Sequence, residues 1–381
     1  MTSKHSYRTV LLTLGRLPVA LELARAFHAS GWRVIVAEPH AWHLCRLSNS
    51  VNKSIRVTAP VVNSEAYLDE LAHVVEQEHV NLVLPVSEET LYVADLKSRL
   101  PDTVQLLCME QRALLSLHDK YLFYQSALQQ GLAVPDCALA SNADDCIALL
   151  SEPNVIKPRL SCSGAGVSIR AAGTVLQSEK KTNRYIVQKK MSGQECSTFT
   201  IASHGKPLVT ICYRSLLESG SVSVCFEHVS APDAIADFIS RAVQAINYTG
   251  MISFDFMQDE QGVWRAIECN PRATSGMHFL PADDIHNALV DGERPLYLLP
   301  GSRRQEFWSS LQKVEGILFR GRLDRRSWAN LVTTRDITWR WSDMKPFLLM
   351  TFVVAPHLFR AIKAGRPLSE LFMTDVGWHE R

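Results

Sequence analysis

Short apolar runs and helically spaced apolar positions alternate along the first third of the chain. Residues 9–14 and 32–37 are short, mostly apolar runs, and residues 18–30 between them repeat apolar side chains at helical intervals. Residues 64–78 and 80–85 repeat the helix-then-strand order. Because strand, helix and strand in this order form a βαβ unit, the pattern predicts a parallel sheet with helices packed on it.

The pattern changes beyond residue 117, where short strands follow one another between polar loops. A helix is predicted from Asp119 to Gln130, and strands are predicted at residues 154–158, 167–169, 184–189 and 199–202. Apolar and polar positions then alternate on both sides of a turn, which predicts a β-hairpin over residues 250–270. Helical spacing returns at residues 283–297 and 343–365.

These changes divide the chain into four predicted regions. At 381 residues it is longer than one hydrophobic core normally supports, so several domains are expected. The regions are an α/β domain at 1–117, a small central lobe at 118–190, a lobe with the hairpin at 191–295 and a mainly helical C-terminal extension at 296–381. The predicted fold class is therefore mixed, α/β followed by α+β.

Composition and charge indicate a soluble globular protein without bulk affinity for nucleic acid. Hydrophobic residues make up 46% of the chain, and 40 basic and 39 acidic residues leave a formal net charge of +1. The segment from Arg303 to Trp341 interleaves arginine with tryptophan, a pattern that can stack nucleic-acid bases. The near-neutral total charge favours packing with paired arginines instead. Any anionic ligand must then be held by local groups.

Cysteine usage and the apolar segments predict a cytoplasmic protein. The cysteines are scattered without a CxxC pair, which argues against zinc and disulfide frameworks and favours a reducing compartment. The polar first eight residues do not form a signal peptide. Residues 346–359 are apolar, but they are too few to span a membrane and Pro356 interrupts them. A buried helix is predicted there, with peripheral membrane contact as the alternative.

The hairpin carries three oxygen-donating side chains of the kind that bind hard cations. Asp255 lies on its first strand, and Glu268 and Asn270 lie on its second. A four-residue turn would place Asp255 opposite Ala266 and diagonal to Glu268, with the three side chains on one face. Such a set suits Mg²⁺, and Arg272 just beyond it suits a phosphoryl group. The alternative is an ordinary hairpin whose acids face solvent.

A lysine followed by a loop of small residues fits phosphate binding. Lys157 lies at the end of a predicted strand, and residues 159–166 (RLSCSGAG) follow as a loop whose backbone amides can approach a phosphate closely. A turn with a surface lysine is the alternative, since the loop lacks a Walker A pattern. Gly15 lacks the further glycines of a dinucleotide motif, although Glu38 stands where a ribose-binding acid would.

Two other segments fit the binding of a nucleotide and of a polar substrate. The backbone of residues 187–195 can read an adenine edge, with Glu195 placed to accept from ribose hydroxyls. Ser87 and Glu88 follow the strand at residues 80–85, and ligands of open α/β sheets bind at that carboxyl edge. Capping of the next helix by Ser87 is the alternative.

Taken in order, these motifs resemble the ATP-grasp superfamily, in the style of its carbamoyl-phosphate-synthase-like and biotin-carboxylase-like members. The matching elements are Asp119-Lys120, the IKP at 156–158, the loop at 161–166, the VQ and glutamate at 187–195, and Asp255 with the ECNPR at 268–272. They cover roughly residues 117–280, and the N-terminal unit matches a pre-ATP-grasp domain. Asp255 departs from the family pattern, in which glutamate is common.

The resemblance implies a role for each matching position. Lys120 and Lys157 would contact ATP phosphates, and Arg272 would stabilise an acyl-phosphate stage, which makes Lys157 and Arg272 the predicted catalytic residues. Mg²⁺, with Mn²⁺ as an alternative, would bind Asp255, Glu268 and Asn270. The other predicted ATP contacts lie in the loop and the hinge: Ser161, Ser163, Gly164, Gly166, Gln188, Lys189, Lys190, Met191 and Glu195. For the substrates we predict contacts from Ser87, Glu88, Thr274, Ser275 and His278.

The implied activity is ATP-dependent ligation of a carboxylate to an amine. A carboxylate oxygen would attack the γ-phosphate to give an acyl phosphate, and an amine, such as that of an amino acid, would displace phosphate. Two alternatives stay open: a carboxylase or carbamoyl-forming enzyme that uses bicarbonate, and a non-catalytic ATP-binding regulatory module. The predicted partners are small molecules rather than nucleic acid, and a homodimer is one option for assembly.

Overall fold

The apolar runs of the first third form a five-stranded parallel sheet in the computed structural model. The structure describes residues 8–161, 164–173, 180, 182–219, 222–297, 299–311, 325–365 and 372–378. The strands of the first sheet are β1 (Thr9–Leu12), β2 (Arg33–Glu38), β3 (Lys53–Arg56), β4 (Leu82–Leu84) and β5 (Gln105–Leu106). They run in the order β3-β2-β1-β4-β5, and all of these pairings are parallel, as predicted.

Helices follow these strands along the chain. They are α1 (Pro18–Ala29), α2 (Ser64–Gln77), α3 (Thr90–Val93) and α4 (Gln111–His118). Pro18 lies in the first turn of α1, where its missing N–H has no intrahelical partner to lose. Gly31 has a φ of 80°, which lets the chain leave α1 and enter β2. Asn63 caps α2 by accepting from the Ala66 N–H.

An ion-pair network closes the edge of this sheet where a dinucleotide would bind. Arg16 Nε donates to Glu38 Oε1 at 3.0 Å, and the Gly15 N–H donates to Glu38 Oε2 at 2.9 Å. Asp375, near the C-terminus, accepts from Arg16 Nη2 at 2.9 Å. Glu38 is fully buried. Its carboxylate is therefore committed to an internal network, in agreement with the missing glycine motif.

A four-stranded antiparallel sheet forms the small central lobe. Its strands are β6 (Cys137–Leu139), β7 (Asn154–Pro158), β8 (Ser168–Arg170) and β9 (Tyr185–Lys189), in the spatial order β6-β9-β7-β8. The helices of this stretch are α5 (Lys120–Gln129) and α6 (Ala143–Leu150). Asp119 caps α5 by accepting from the N–H groups of Tyr121 and Leu122, which fixes Lys120 in the first helical turn.

A seven-stranded sheet carries the hairpin. Its strands are β10 (Glu195–Ser203), β11 (Lys206–Ser219), β12 (Val222–Val229), β13 (Gly250–Gln258), β14 (Trp264–Asn270), β15 (Arg303–Gln305) and β16 (Arg335–Asp336). They run in the order β14-β13-β10-β11-β12-β15-β16, antiparallel except for the pair β15-β16. The helices α7 (Asp233–Ala245) and α8 (Ala282–Val290) belong to the same part of the chain.

The C-terminal part differs from the prediction in two respects. The helix predicted at 283–297 ends at Val290, because Gly292 takes a φ of 68° and Pro295 follows. The extension also adds β15 and β16 to the large sheet, beside its helices α9 (Arg325–Thr333) and α10 (Lys345–Ala364). The division into four domains stays a prediction.

Arg303 and Arg340 of the C-terminal part are paired with acids, as the charge balance predicted, whereas Arg304 Nε donates to the His278 carbonyl at 3.2 Å. Arg303 Nε donates to Glu227 Oε1 at 2.9 Å, and Arg340 pairs with Glu22 of α1. The ring of Trp308 packs 5.7 Å from that of Phe347. Arg320 and Arg322 of the same segment lie outside the residues that the structure describes.

The helix predicted at residues 346–359 is present, but the prediction that it is buried is wrong. One side of α10 packs on the protein through Pro346, Val353 and Ala361, while Phe352 and Phe359 are 75% and 70% exposed. Apolar residues occupy both sides of the helix, so composition could not show which side faces the body. Within the described ranges, no helix has both the length and the apolar character that crossing a membrane requires.

One hydrophobic core joins the parallel sheet to the large sheet. It contains Phe27 of α1, Phe199 of β10 and Ile285 of α8. Cys269 on the hairpin lies in a second buried cluster, facing the core as predicted. Because the two sheets share a core, the loop after β4 lies against the end of the hairpin.

Candidate active site

The two strands of the hairpin meet in a register that differs from the predicted one. Phe256 lies opposite Ala266, but Asp255 lies directly opposite Glu268. Ile267 is therefore an extra residue on β14, a β-bulge, which bends the strand locally. The predicted pairing of Asp255 with Ala266 is wrong, because the turn spans residues 259–263 and the bulge shifts the pairing once more.

This register brings the three predicted metal ligands together on one face. Asn270 Nδ2 donates to Asp255 Oδ2 at 3.1 Å and to Glu268 Oε1 at 3.4 Å. Ser197 on the neighbouring strand β10 donates from its hydroxyl to Asp255 Oδ1 at 2.6 Å. The Glu268 side chain is 31% exposed, so the cluster opens on one side.

The carboxylates of Asp255 and Glu268 repel each other, because the two residues lie directly opposite on the hairpin. Burial, and then the charge of Glu268, raise the pKa of Asp255. Burial also opposes the charge of Glu268, but Lys120 and Lys157 outweigh it and lower the pKa of that carboxyl. A divalent cation relieves such repulsion, and oxygen donors of this kind fit Mg²⁺. No cluster of three or more His, Cys, Asp or Glu occurs in the described ranges, so the fit rests on two carboxylates and the amide of Asn270.

Two buried lysines face the acid pair from α5 and β7. Lys120 Nζ lies 3.7 Å from Glu268 Oε2 and donates to the Ser161 carbonyl at 2.8 Å. Lys157 Nζ donates at 3.1 Å to the carbonyl of Ile267, the bulged residue. Burial lowers the pKa of Lys157 to about 8 despite the charge of Glu268. The lysines and the acids therefore meet across the junction of the small lobe and the large sheet.

The loop after β7 needs glycine at two positions. Gly164 and Gly166 have φ of 70° and 74°, in the left-handed region that favours glycine. A Cβ at Gly166 would lie 2.8 Å from Pro158 Cγ, which leaves no room for a side chain. Ser161, at the start of the loop, contacts Lys120 through both its carbonyl and its hydroxyl. The predicted ATP contact Ser163 lies outside the described residues.

The predicted nucleotide hinge joins β9 to β10. Gln188 and Met191 are buried, and the N–H of Lys190 donates to the Pro153 carbonyl at 3.1 Å. The Lys189 side chain pairs with Glu152 at 2.9 Å near the surface. The Lys189 N–H donates to the Asp136 carbonyl at 2.9 Å, so its described contacts are internal to the lobe. The predicted ribose contact, Glu195, is exposed at the start of β10.

Arg272 is held by an acid of the N-terminal domain. Its Nε donates to Glu88 Oε1 at 2.6 Å, and its Nη2 donates to Asn270 Oδ1 at 3.2 Å. His118 Nε2 lies 3.6 Å from Glu88 Oε2. Burial opposes the charge of Glu88, but Arg272 and His118 outweigh it and lower its pKa. Glu88 is thus an ionised partner of Arg272, a relationship that the sequence analysis did not assign.

Thr274 and Ser275 follow Arg272 at the end of the hairpin. The Thr274 hydroxyl lies 2.8 Å from that of Ser253, a residue of β13 two positions before Asp255. Ser275 begins a 3₁₀ helix that continues through Phe279, and its side chain is half-buried. Thr274 therefore lies near the predicted metal ligands, whereas no described contact joins Ser275 to them.

His278 and Ser87 are enclosed by internal contacts. His278 Nδ1 lies 3.5 Å from Glu22 Oε2 of α1, and the side chain is 5% exposed. Ser87 is buried, its N–H donates to the carboxylate of Glu89 and its carbonyl accepts from the Thr90 hydroxyl. The structure does not bring these two side chains to the acid pair through any contact that it describes.

Two residues of this arrangement were missed in the sequence. Ser197 contacts Asp255 from β10, and the register between β10 and β13 that brings it there spans 58 positions of sequence. His118 directly precedes the Asp119-Lys120 pair, and this position was the only indication in the sequence that His118 belongs to the site. A histidine beside a motif does not by itself indicate a role, because its contact with Glu88 is visible only in the structure.

A family model described as ATP-grasp domain matches residues 117–276. The matched range includes Lys120, Lys157 and the whole hairpin, and it leaves out the N-terminal sheet and most of the C-terminal part. No curated protein matches the chain.

Solved structures resemble the chain in fold over most of its length. N5-carboxyaminoimidazole synthetase from Staphylococcus aureus is 15% identical with a TM-score of 0.60, covering 76% of this chain and 78% of that one. L-amino acid ligase from Bacillus licheniformis is 16% identical with a TM-score of 0.58, covering 79% of each chain. A biotin carboxylase from Campylobacter jejuni is 14% identical with a TM-score of 0.60, covering 79% of this chain and 73% of that one. At these identities the likeness shows a shared fold.

Proposed function

We propose that this chain, which belongs to the ATP-grasp superfamily, is an ATP-dependent ligase that joins a carboxylate to an amine. The observation that carries the proposal is the acid pair Asp255 and Glu268, which faces the buried lysines Lys120 and Lys157 across two lobes. The acids fit a cation and the lysines fit an anion, and a metal-bound triphosphate offers both. The L-amino acid ligase among the fold relatives agrees with this reaction class.

ATP and Mg²⁺ are the cofactors we assign to this site. Asp255, Glu268 and Asn270 would hold Mg²⁺, which when bound neutralises negative charge on phosphate oxygens. Lys120 and Lys157 bind the phosphates from the opposite side. Because Lys120 also contacts Ser161 at the start of the glycine-containing loop, the loop would close over the phosphates and exclude water.

Arg272 marks the side of the site that receives the carboxylate. Its planar guanidinium matches carboxylate and phosphoryl oxygens, and Glu88 fixes its orientation. We therefore replace the predicted substrate contact of Glu88 with a positioning role. Thr274 and Ser275 offer hydroxyl groups beside Arg272, and we assign them to the substrates.

The reaction needs no nucleophilic side chain. A substrate carboxylate oxygen attacks the γ-phosphorus of ATP, the bond to the β–γ bridging oxygen breaks, and ADP leaves. The amine then attacks the acyl carbon, loses a proton and displaces inorganic phosphate. Lys157 and Arg272 stabilise the negative charge on the transferring group, the main contribution that a protein makes to phosphoryl transfer.

Phosphate release tests this reaction class. The protein is incubated with ATP and Mg²⁺ and a panel of carboxylates, bicarbonate included, with and without amino acids and other amines. We expect release that requires both a carboxylate and an amine, and a product whose mass equals their sum less water. Release with bicarbonate alone would assign the carboxylase reaction instead. ATP binding without turnover on any pair would show a regulatory module.

Glu268→Gln tests the site, with Glu260→Gln as the matched control. Glu260 lies in the turn of the same hairpin and is exposed, so its loss changes the protein's charge equally. We expect Glu268→Gln to lower turnover by at least about 100-fold, the scale of removing one electrostatic group from such a site. The control should retain turnover. Similar activity in both variants would mean that the hairpin is not the metal site.

A further inference from the structure

One side of α10 is apolar and faces outward. Leu348, Phe352 and Phe359 are 51%, 75% and 70% exposed. They follow one another at spacings of four and seven residues, so they share one face of the helix. Val353 and Ala361 on the opposite face are 5% and 4% exposed. The helix is therefore fixed on the protein by one apolar face and presents a second one.

Positive charge accompanies this exposed face. Lys345 lies seven residues before Phe352, and Lys363 lies four residues after Phe359, so both lysines belong to the same stripe. Arg360 is also exposed, and the twenty residues of α10 include no aspartate or glutamate. At 1.5 Å per residue the helix is about 30 Å long, with a cation near each end and phenylalanines between.

The size of the patch argues against a stable contact with a second copy of the chain. Phe352 and Phe359 present on the order of 300 Å² of aromatic surface, since each such side chain offers about 150–250 Å² and most of it is exposed. A stable protein interface buries about 800 Å² on each partner, from some 20–30 residues. The patch is instead of the size that marks a smaller interaction site.

We propose that this face of α10 is a peripheral docking surface for an anionic lipid bilayer. A helix that lies in the membrane interface buries aromatic and aliphatic side chains at the level of the acyl chains and extends lysine and arginine to the headgroups. Phe352 and Phe359 are the apolar anchors, and Lys345, Arg360 and Lys363 are the contacts to anionic headgroups. The proposal is independent of the ligase reaction.

Vesicle flotation tests the docking surface. The whole protein is mixed with vesicles of phosphatidylcholine alone or of phosphatidylcholine with phosphatidylglycerol. We expect it to float with the mixed vesicles and to remain behind with the neutral ones. The variant Lys345→Gln/Arg360→Gln/Lys363→Gln should bind the mixed vesicles on the order of 100-fold more weakly, since each basic residue near an anionic surface contributes roughly fivefold.

Removal of the aromatic anchors provides the second arm. Phe352→Ser/Phe359→Ser should lower binding to the mixed vesicles at least about tenfold, because that much apolar surface then stays out of the bilayer. Ile147→Ser is the matched control, since Ile147 on α6 is 66% exposed and distant in sequence from α10. It should float as the unmodified protein does, and circular dichroism should be the same for all variants.

Three results would overturn the proposal. The first is no flotation of the unmodified protein with mixed vesicles. The second is equal flotation of the unmodified protein and the variant without the three cations. The third is light scattering that finds a dimer which Phe352→Ser/Phe359→Ser converts to a monomer, because that result assigns the face to a second copy of the chain.

Discussion

The contact between Glu88 and Arg272 leads to a sharp prediction about catalysis. In Glu88→Gln the side chain keeps its shape and one hydrogen-bond acceptor, but the negative charge beside Arg272 is lost. Arg272 Nε lies 2.6 Å from Glu88 Oε1, and the Glu88 side chain is 2% exposed. The guanidinium then loses the group that fixes its direction, while the residues that contact Asp255 and Glu268 stay unchanged.

The size of the effect follows from the burial of the two partners. Loss of one member of a fully buried ion pair lowers the free energy of unfolding by about 3–5 kcal/mol. The Arg272 side chain is 18% exposed, so water replaces part of the lost interaction, and the glutamine oxygen retains another part. In the transition state, loss of one positioned electrostatic group costs on the order of 2.7 kcal/mol, which corresponds to about 100-fold in rate. We therefore expect kcat/KM for the carboxylate to fall on the order of 100-fold.

The assay compares the carboxylate and the nucleotide in the same variant. Phosphate release gives kcat/KM for the carboxylate, and calorimetry gives the Kd for ATP with Mg²⁺, which should change by less than about threefold because Glu88 acts through Arg272. Ser87→Ala is the control, since Ser87 is equally buried and its described bonds run to Glu89 and Thr90. A near-normal kcat/KM in Glu88→Gln, or an equal loss of ATP affinity, would refute the positioning role.

Three further predictions concern neighbouring contacts. Ser197→Ala removes the donor to Asp255 and should weaken Mg²⁺ binding about tenfold in a Mg²⁺ titration of nucleotide binding, the usual effect of losing a ligand's supporting hydrogen bond. Burial, and then the charge of His40, lower the pKa of His357 from 6.5 to about 4, so the unfolded chain binds more protons and stability falls as pH drops through this window. In His357→Leu, the free energy of unfolding measured with urea should no longer show this decrease between pH 6.5 and about 4. Asp375→Asn should cost about 1–3 kcal/mol at neutral pH, less than a fully buried pair because the Asp375 side chain is 23% exposed and Arg16 keeps Glu38. Burial opposes the charge of Asp375, but the hydrogen bonds from His40 and Arg16 outweigh it and hold the pKa of Asp375 well below its usual range. This difference should therefore persist at higher pH, begin to shrink as pH falls below about 4, and disappear only once pH passes below the lowered pKa.

The elements of the site that depend on local sequence could be predicted. Asp119 is a helix cap whose acceptor role is a property of the backbone beside it, so the position of Lys120 follows from the sequence. The strand that carries Lys157 was found with its observed bounds, Asn154–Pro158, because apolar residues between polar neighbours specify it. Alternation along β13 was enough to place Asp255 on the face opposite Phe254.

The parts of the site that depend on pairing could not be predicted. A bulge at Ile267 changes the register by one residue, and no residue type at that position announces it. The bulge matters, because it places Asp255 directly opposite Glu268 and gives Lys157 its acceptor. The contact of Glu88 with Arg272 joins residues 184 positions apart, and it depends on the core that the two sheets share. Local propensity contains no information about such contacts.

The charges of the site explain why Glu268 is its central residue. Three cations, Lys120, Lys157 and Arg272, meet three carboxylates, those of Asp255, Glu268 and Glu88, so the described groups balance before any ligand binds. Glu268 accepts a hydrogen bond from Asn270, and Asn270 also donates to Asp255. Glu268 also lies 3.7 Å from the Lys120 ammonium group. In the proposed reaction a triphosphate would add more negative charge than one divalent cation neutralises, so we expect Lys120 to turn from Glu268 toward the phosphates as Glu268 turns toward the cation. Cation and nucleotide are therefore linked through this one carboxylate, and each should strengthen the binding of the other.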